Sequence, residues 1–321
     1  MKPLKPLTEE QIKSLSILEP QLKSCVKTAD FNRAKVITAK IQELLRPTGH
    51  ETRLLQAKNW LYETAMEARN ISYARMGFEG TIQKCSPSTR LYLEAVSLLS
   101  ICYLRENNLP KARESILKSV ASIGNIKSDQ RREQFHKRFL ERLEEESILS
   151  GLKNLSDQPL DLEEVNREAI RLITTKSEDQ ILVEMGQALP SKTFDLLVEI
   201  RATYQLRLPA PDIKYLPPPL SKETKAELGK RADSALKRVA WRALCTPTSD
   251  LYKAWSEGLS VVYDKKYIAA AILTAFESFS ITAVMIAASA IALAIKFGAE
   301  VFCESYAPNS LMIDRKDKSD T

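Results

Sequence analysis

Glycine is scarce, with 9 in 321 residues, so few positions take positive backbone angles without strain. Leu, Ala, Glu, Lys and Arg are abundant, and that bias favours helices; all-α is the expected class. Histidine is rarer still. His50 falls in an expected loop and His136 on a charged helix, neither with a second ligand or a base at useful spacing, so no metal site is expected. Five cysteines (Cys25, Cys85, Cys102, Cys245, Cys303) are odd in number and never form a C-x-x-C pair. That fits buried thiols in a reducing compartment better than a disulfide framework. There is no Walker loop, no G-x-G-x-x-G after a strand and no G-x-S-x-G elbow. The opening "MKPLKPLTEEQIKS" lacks the apolar core of a signal peptide. No catalytic residue, cofactor or enzyme activity is expected.

What is present is an ordinary globular mixture, 44% apolar and 27% charged, with a net charge of +6 spread along the chain. Basic clusters such as "KRADSALKRVAWR" (230–242) read first as a solvated helix face and second as a contact for anionic lipid. Nucleic acid is not an expected partner, because no aromatic stacking pattern accompanies the charge. Glu63 and Glu67 stand one helical turn apart, the spacing of a wet helix face rather than of an acid–base pair.

Three segments share a pattern: "TADFNRAKVITAKI", "EARNISYARMGFEG" and "RENNLPKARESILK". Each reads as helix, three-residue turn, helix. Aligned on Ala34, Ala74 and Ala112 they step by 40 and 38 residues, with Cys25, Ala65 and Tyr103 each nine residues upstream. The small residue sits one turn into a second, antiparallel helix, where anything larger than alanine pushes the pair apart. The third unit, "VSLLSICYLRENNLPKARESI", resembles the tetratricopeptide repeat. Val96, Leu99, Ser100, Tyr103, Ala112 and Ile116 stand where that pattern has Trp, Leu, Gly, Tyr, Ala and Phe, and Pro110 starts the second helix. The middle unit keeps Leu61, Ala74 and Phe78; in the first, Pro20 is expected to shorten the leading helix. The alternative is an irregular helical bundle with alanine at its crossings by coincidence.

The resemblance covers residues 8–125 and implies stacked helical hairpins whose first helices line an inner wall that holds a peptide or a partner helix. Carried over by position, that wall includes Asn59, Glu63, Met66 and Glu67 in the second unit, and Glu94, Ser97, Ile101 and Arg105 in the third. A plain solvated helix face is the alternative for each. The lysine and asparagine set with which some such proteins clamp a terminal carboxylate is not evident here.

Residues 126–208 read as a helical extension. Phe135, Phe139 and Leu143 form a stripe that could cap the stack, and capping boxes pair Asp161 with Glu164 and Ser177 with Gln180. Five prolines between 209 and 219 mark residues 209–221 as a stiff linker, with an SH3-type ligand a weaker reading. Residues 222–265 form a basic amphipathic region. Leu228, Ala232, Ala235, Val239 and Ala243 lie on one side, and Lys230, Arg231, Lys237, Arg238 and Arg242 on the other, a helix suited to a lipid surface.

Residues 266–304 form a hydrophobic segment, followed by a polar tail over 305–321. From Ile268 to Ile295 the only charge is Glu277, which would sit at a bilayer boundary. Ser278 to Phe297 has the roughly 20-residue length that crosses hydrocarbon, so it is expected to be a transmembrane helix. A central helix of a large domain, apolar all round, is the alternative. Ala283, Ala287, Ala290, Ala294 and Gly298 offer small residues for close helix approach and a homo-oligomer. Together these readings describe a single-pass membrane protein with its bulk cytoplasmic, a tethered adaptor that binds a protein partner. A membrane-active effector, whose C-terminal helix assembles and permeabilises the bilayer, is the second reading.

Overall fold

In the computed structural model, residues 4–153, 155, 159–217, 220, 223–247, 249–257, 265–308 and 310–312 are described. Among them the chain is all-helical, with fifteen α-helices and no extended pairing beyond one isolated bridge between Lys153 and Ile281. It divides into two compact units. One comprises residues 1–140, 203–215 and 309–321; the other comprises 141–202 and 216–308.

The first unit opens with six helices in consecutive packed pairs: α1 (Glu9–Thr28), α2 (Phe31–Leu45), α3 (Glu51–Glu67), α4 (Ile71–Lys84), α5 (Arg90–Arg105) and α6 (Leu109–Ser122). Three turns join these pairs in the same way. Ala29, Arg69 and Asn107 adopt left-handed backbone (φ 54, 66 and 57°) and close the preceding helix. The next residue donates back to the carbonyl five positions upstream: Asp30 to Cys25 (3.1 Å), Asn70 to Ala65 (2.8 Å) and Asn108 to Tyr103 (2.8 Å). The left-handed residue donates to the carbonyl three before it, which completes a Schellman closure each time. Asp30, Asn70 and Asn108 then serve as N-caps of α2, α4 and α6, so one residue ends a helix and begins another. Four residues on, Ala34, Ala74 and Ala112 are fully buried at the crossing.

The first helices of successive pairs also touch, α1 on α3 and α3 on α5. Arg53 of α3 holds Glu19 of α1 through two bonds (2.7 and 3.0 Å). The expected shortening at Pro20 does not occur: α1 runs unbroken for 20 residues. Pro20 and Ser16, whose carbonyl loses its donor, both lie on the exposed side, where water replaces the missing bond. A 3₁₀ turn (Ile123–Asn125) leads into α7 (Asp129–Gly151), whose residues to Leu140 belong to this unit.

The second unit contains α8 (Leu162–Thr175), α9 (Glu178–Gln187), most of α10 (Ser191–Gln205), α11 (Lys225–Cys245), α12 (Asp250–Ser256), α13 (Lys265–Ser278), α14 (Val284–Phe297) and α15 (Ala299–Ser305). The capping box at Ser177 and Gln180 forms as expected, whereas Asp161 instead caps through the Glu163 amide (2.9 Å). Where α9 crosses α11, two glycines meet backbone. A Cβ on Gly186 would lie 1.9 Å from the Lys225 carbonyl oxygen, and one on Gly229 would lie 1.8 Å from that of Leu182. Cys245 and Cys303 form a disulfide, against the expectation of buried thiols throughout; Cys25, Cys85 and Cys102 remain thiols. The Trp241 indole N–H donates to the Cys303 carbonyl (2.9 Å) beside it.

The transmembrane expectation is corrected. Among the described residues no helix is long and apolar enough to cross a membrane. The apolar run is broken at Phe279–Ala283, where Ser280 (φ 56°) closes α13 with the same pair of bonds, Ser280 to Glu277 and Ile281 to Phe276. The 14-residue α14 is then about 21 Å long, short of the roughly 30 Å of hydrocarbon. It packs on α8, α9, α11, α13 and α15, and that enclosure by its own chain accounts for apolar residues on every face. A single-pass membrane protein is therefore not supported. Glu277 is exposed on α13.

Two neighbouring expectations change with it. Three of the five cations expected on the surface side of α11 are paired within the unit: Lys237 with Asp233 (2.6 Å), Arg238 with Glu145 (2.6 Å), and Arg231 with Glu223 (2.7 Å) and Glu144. In the proline-rich stretch, Ala210–Tyr215 form a 3₁₀ helix inside the first unit rather than an extended spacer; Pro218 and Pro219 lie outside the described residues.

The glycine crossing yields a paired expectation. Gly229→Ala forces α9 and α11 apart and lowers the unfolding free energy by at least about 3 kcal/mol in urea titrations. Gly80→Ala, in open space within α4, raises it by roughly 0.5–1 kcal/mol.

Candidate functional site

On α3, Gln56, Asn59, Glu63 and Glu67 recur at helical spacing and form one polar stripe; on α5, Glu94, Ser97 and Arg105 share one face with the apolar Ile101. None of the eight expected wall residues is exposed. Asn59, Glu63, Met66, Glu67, Glu94, Ser97 and Ile101 are buried, and the Arg105 side chain is 7% exposed. Several serve the packing of the repeats. Arg105 reaches across from α5 to the end of α3, where its guanidinium donates to the Met66 carbonyl and lies 3.5 Å from the Glu67 carboxylate. A cation there also meets the negative end of the helix dipole. Ser97 donates to the Leu93 carbonyl (2.8 Å) and pairs with Ser119 of α6, so it belongs to the α5–α6 contact. Glu94 lies 3.5 Å from Arg90.

Glu63 does something different. Its Oε1 accepts the backbone N–H of Leu311 (2.9 Å) and its Oε2 accepts the hydroxyl of Ser310 (2.7 Å). Arg138, on the α7 portion of the same unit, donates to the Ser310 carbonyl (3.4 Å). The Ser310 hydroxyl also accepts the Met312 N–H (3.0 Å). Leu311 and Met312 are each 4% exposed, so part of the tail read as polar is buried against the repeat unit. Glu63 and Arg138 thus hold the Ser310–Leu311 peptide group by both its polar atoms, at a turn that the Ser310 hydroxyl closes onto Met312. Nearby, Gln56 Nε2 and Asn59 Oδ1 are buried with no hydrogen-bond partner among the described residues, although the Asn59 amide nitrogen reaches the Leu91 carbonyl at 3.5 Å. Neither Arg138 nor the tail was marked by the sequence; the only available signal was the apolar pair Leu311–Met312 in a polar surround.

The small residues expected to face lipid or a second copy are placed elsewhere. Ala287, Ala290 and Ala294 are buried inside the second unit; Ala283 caps the start of α14 and Gly298 (φ 81°) its end. The same unit holds an open cavity of about 430 Å³, lined in part by Glu144, Glu223 and Arg231. Its charges answer one another: Arg201 bridges Glu144 (2.6 Å) and Glu223 (3.0 Å), and Arg231 bridges the same two. A network so satisfied holds elements together, and removing one member leaves an uncompensated buried charge.

His136 has partners that spacing could not reveal. Its Nδ1 meets the Tyr204 hydroxyl (2.7 Å) and its Nε2 meets Asp212 (3.2 Å), whose other oxygen accepts from Arg132 (3.2 Å). The ring also lies beside Tyr215 (5.7 Å between centroids). At 2% exposure this His–Asp–Tyr set is a buried latch that fixes residues 204–215 to α7 within the first unit. Burial, opposed by Asp212 and aided by Arg132, pulls the imidazole below its usual pKa, and burial pushes the Tyr204 phenol well above its own. The folded chain keeps His136 neutral where the unfolded chain takes up a proton near pH 6.5. Its contribution is therefore complete above about pH 6.5 and is lost as pH falls through that value towards the lower folded one. Urea-derived stability should fall from pH 7 to 5, and His136→Gln should remove that share of the slope while lowering stability at pH 7.

Among the described residues no group of three or more His, Cys, Asp and Glu is placed to hold a metal ion. Comparison of the chain with protein-family models, with curated proteins and with solved structures finds no match.

Proposed function

We propose that the first unit is a tetratricopeptide-like protein-interaction platform, which seats a short turn-forming segment of a partner chain against the side of its stacked first helices. It works by binding and needs no catalytic group. Three helical hairpins with one turn geometry, first helices in contact, and polar side chains repeating along them supply the platform. The observation that carries the reading is the grip of Glu63 and Arg138 on the Ser310–Leu311 peptide group. Hydrogen bonds to a peptide group give affinity whatever the side chains, and the space for the flanking side chains selects among segments. The disulfide and the enclosed α14 make the second unit a self-contained support.

Panning displayed random peptides on the full-length chain carrying Leu311→Asp, which takes the tail off Glu63, tests the platform. The expected outcome is a selected peptide whose affinity falls about tenfold or more in Glu63→Ala, the loss of a charge-assisted contact, and is unchanged by Lys40→Ala on the exposed side of α2. Failure to select any peptide sensitive to Glu63→Ala would sink the reading.

A further inference from the structure

Resting on that platform reading, we propose that Ser310–Leu311–Met312 is a built-in ligand, and that the outside partner is a segment that forms the same turn with the same pattern, a small hydroxyl residue followed by two large apolar ones. The tail occupies the seat in the way a peptide from another chain would. Ser310 and Glu63 are 247 residues apart in sequence, so neighbouring chain does not impose the contact. What holds the segment is recognition: a carboxylate takes a backbone N–H and a side-chain hydroxyl together, and a guanidinium takes the adjoining carbonyl. The hydroxyl is read twice, as donor to Glu63 and as acceptor from the Met312 N–H, and the turn so formed presents Leu311 and Met312 for burial. Alanine at the first position loses both bonds, and a negatively charged group there faces Glu63 directly.

Because the tail is tethered, it competes at a high effective concentration, and an outside segment binds weakly until the tail leaves. Gln56 Nε2 and Asn59 Oδ1, buried on the stripe that carries Glu63, have no hydrogen-bond partner among the described residues. An outside segment that reached them would gain hydrogen bonds that Ser310–Leu311–Met312 do not make.

The test titrates a fluorescent peptide of residues 306–316 into three full-length chains: the intact protein, Ser310→Glu and Leu311→Asp. The peptide should bind either variant about tenfold or more tightly than the intact chain. Adding Glu63→Ala to Ser310→Glu should abolish that binding. Equal affinity for all three chains, or binding indifferent to Glu63→Ala, overturns the proposal. So does loss of cooperative thermal unfolding in both tail variants, which would make the tail part of the core. If this peptide fails while a panned peptide still depends on Glu63, the platform stands and only the built-in ligand falls.

Discussion

A left-handed residue at the end of each leading helix sets the geometry of the first unit. At Ala29, Arg69 and Asn107 the chain reverses within a few residues, and the following Asp or Asn starts the next helix. Each reversal places an alanine against the helix just completed, close enough that only a methyl group fits. Three repetitions of one turn bring α1, α3 and α5 side by side, with the polar residues of α3 and α5 buried along them. None of the three residues is glycine, so each turn carries backbone strain, offset by the closure bonds and by burial.

The same closure at Ser280 decides the nature of the apolar run. A helix continued through residues 278–297 would have the length and hydropathy of a membrane span. Turned there, it becomes two helices, and the second is enclosed by five neighbours of its own unit. Enclosure and lipid satisfy an all-round apolar helix equally well; length and company distinguish them. The buried alanines of α14 serve packing within the unit, and Arg231, Lys237 and Arg238 of α11 meet carboxylates of that unit.

Local patterns were legible in the sequence and distant pairings were not. The steps of 40 and 38 residues, the alanine at each crossing, and Pro110 at the start of α6 could all be read, because each is fixed by neighbours along the chain. The break at Ser280 was hidden because a non-glycine left-handed residue leaves no compositional trace. His136 looked solitary because Tyr204 and Asp212 lie 68 and 76 residues away. Position on a helix marked Glu63 and Arg105 alike, but it could not tell that Arg105 reaches from α5 to the end of α3 while Glu63 accepts from Ser310 and Leu311. Tail and wall are joined only by the fold.

Strain-bearing turns, a shared wall and a seated tail thus form one sequence of causes, at whose end a carboxylate has its oxygens engaged by a single peptide turn. Hydrogen exchange at the Leu311 amide probes that last link most directly. In the intact protein this amide should be protected well beyond the rate of an unstructured peptide, and Glu63→Ala should release it while the α5 amides stay protected. Exchange at the unstructured rate in the intact protein, indifferent to Glu63, would contradict the account.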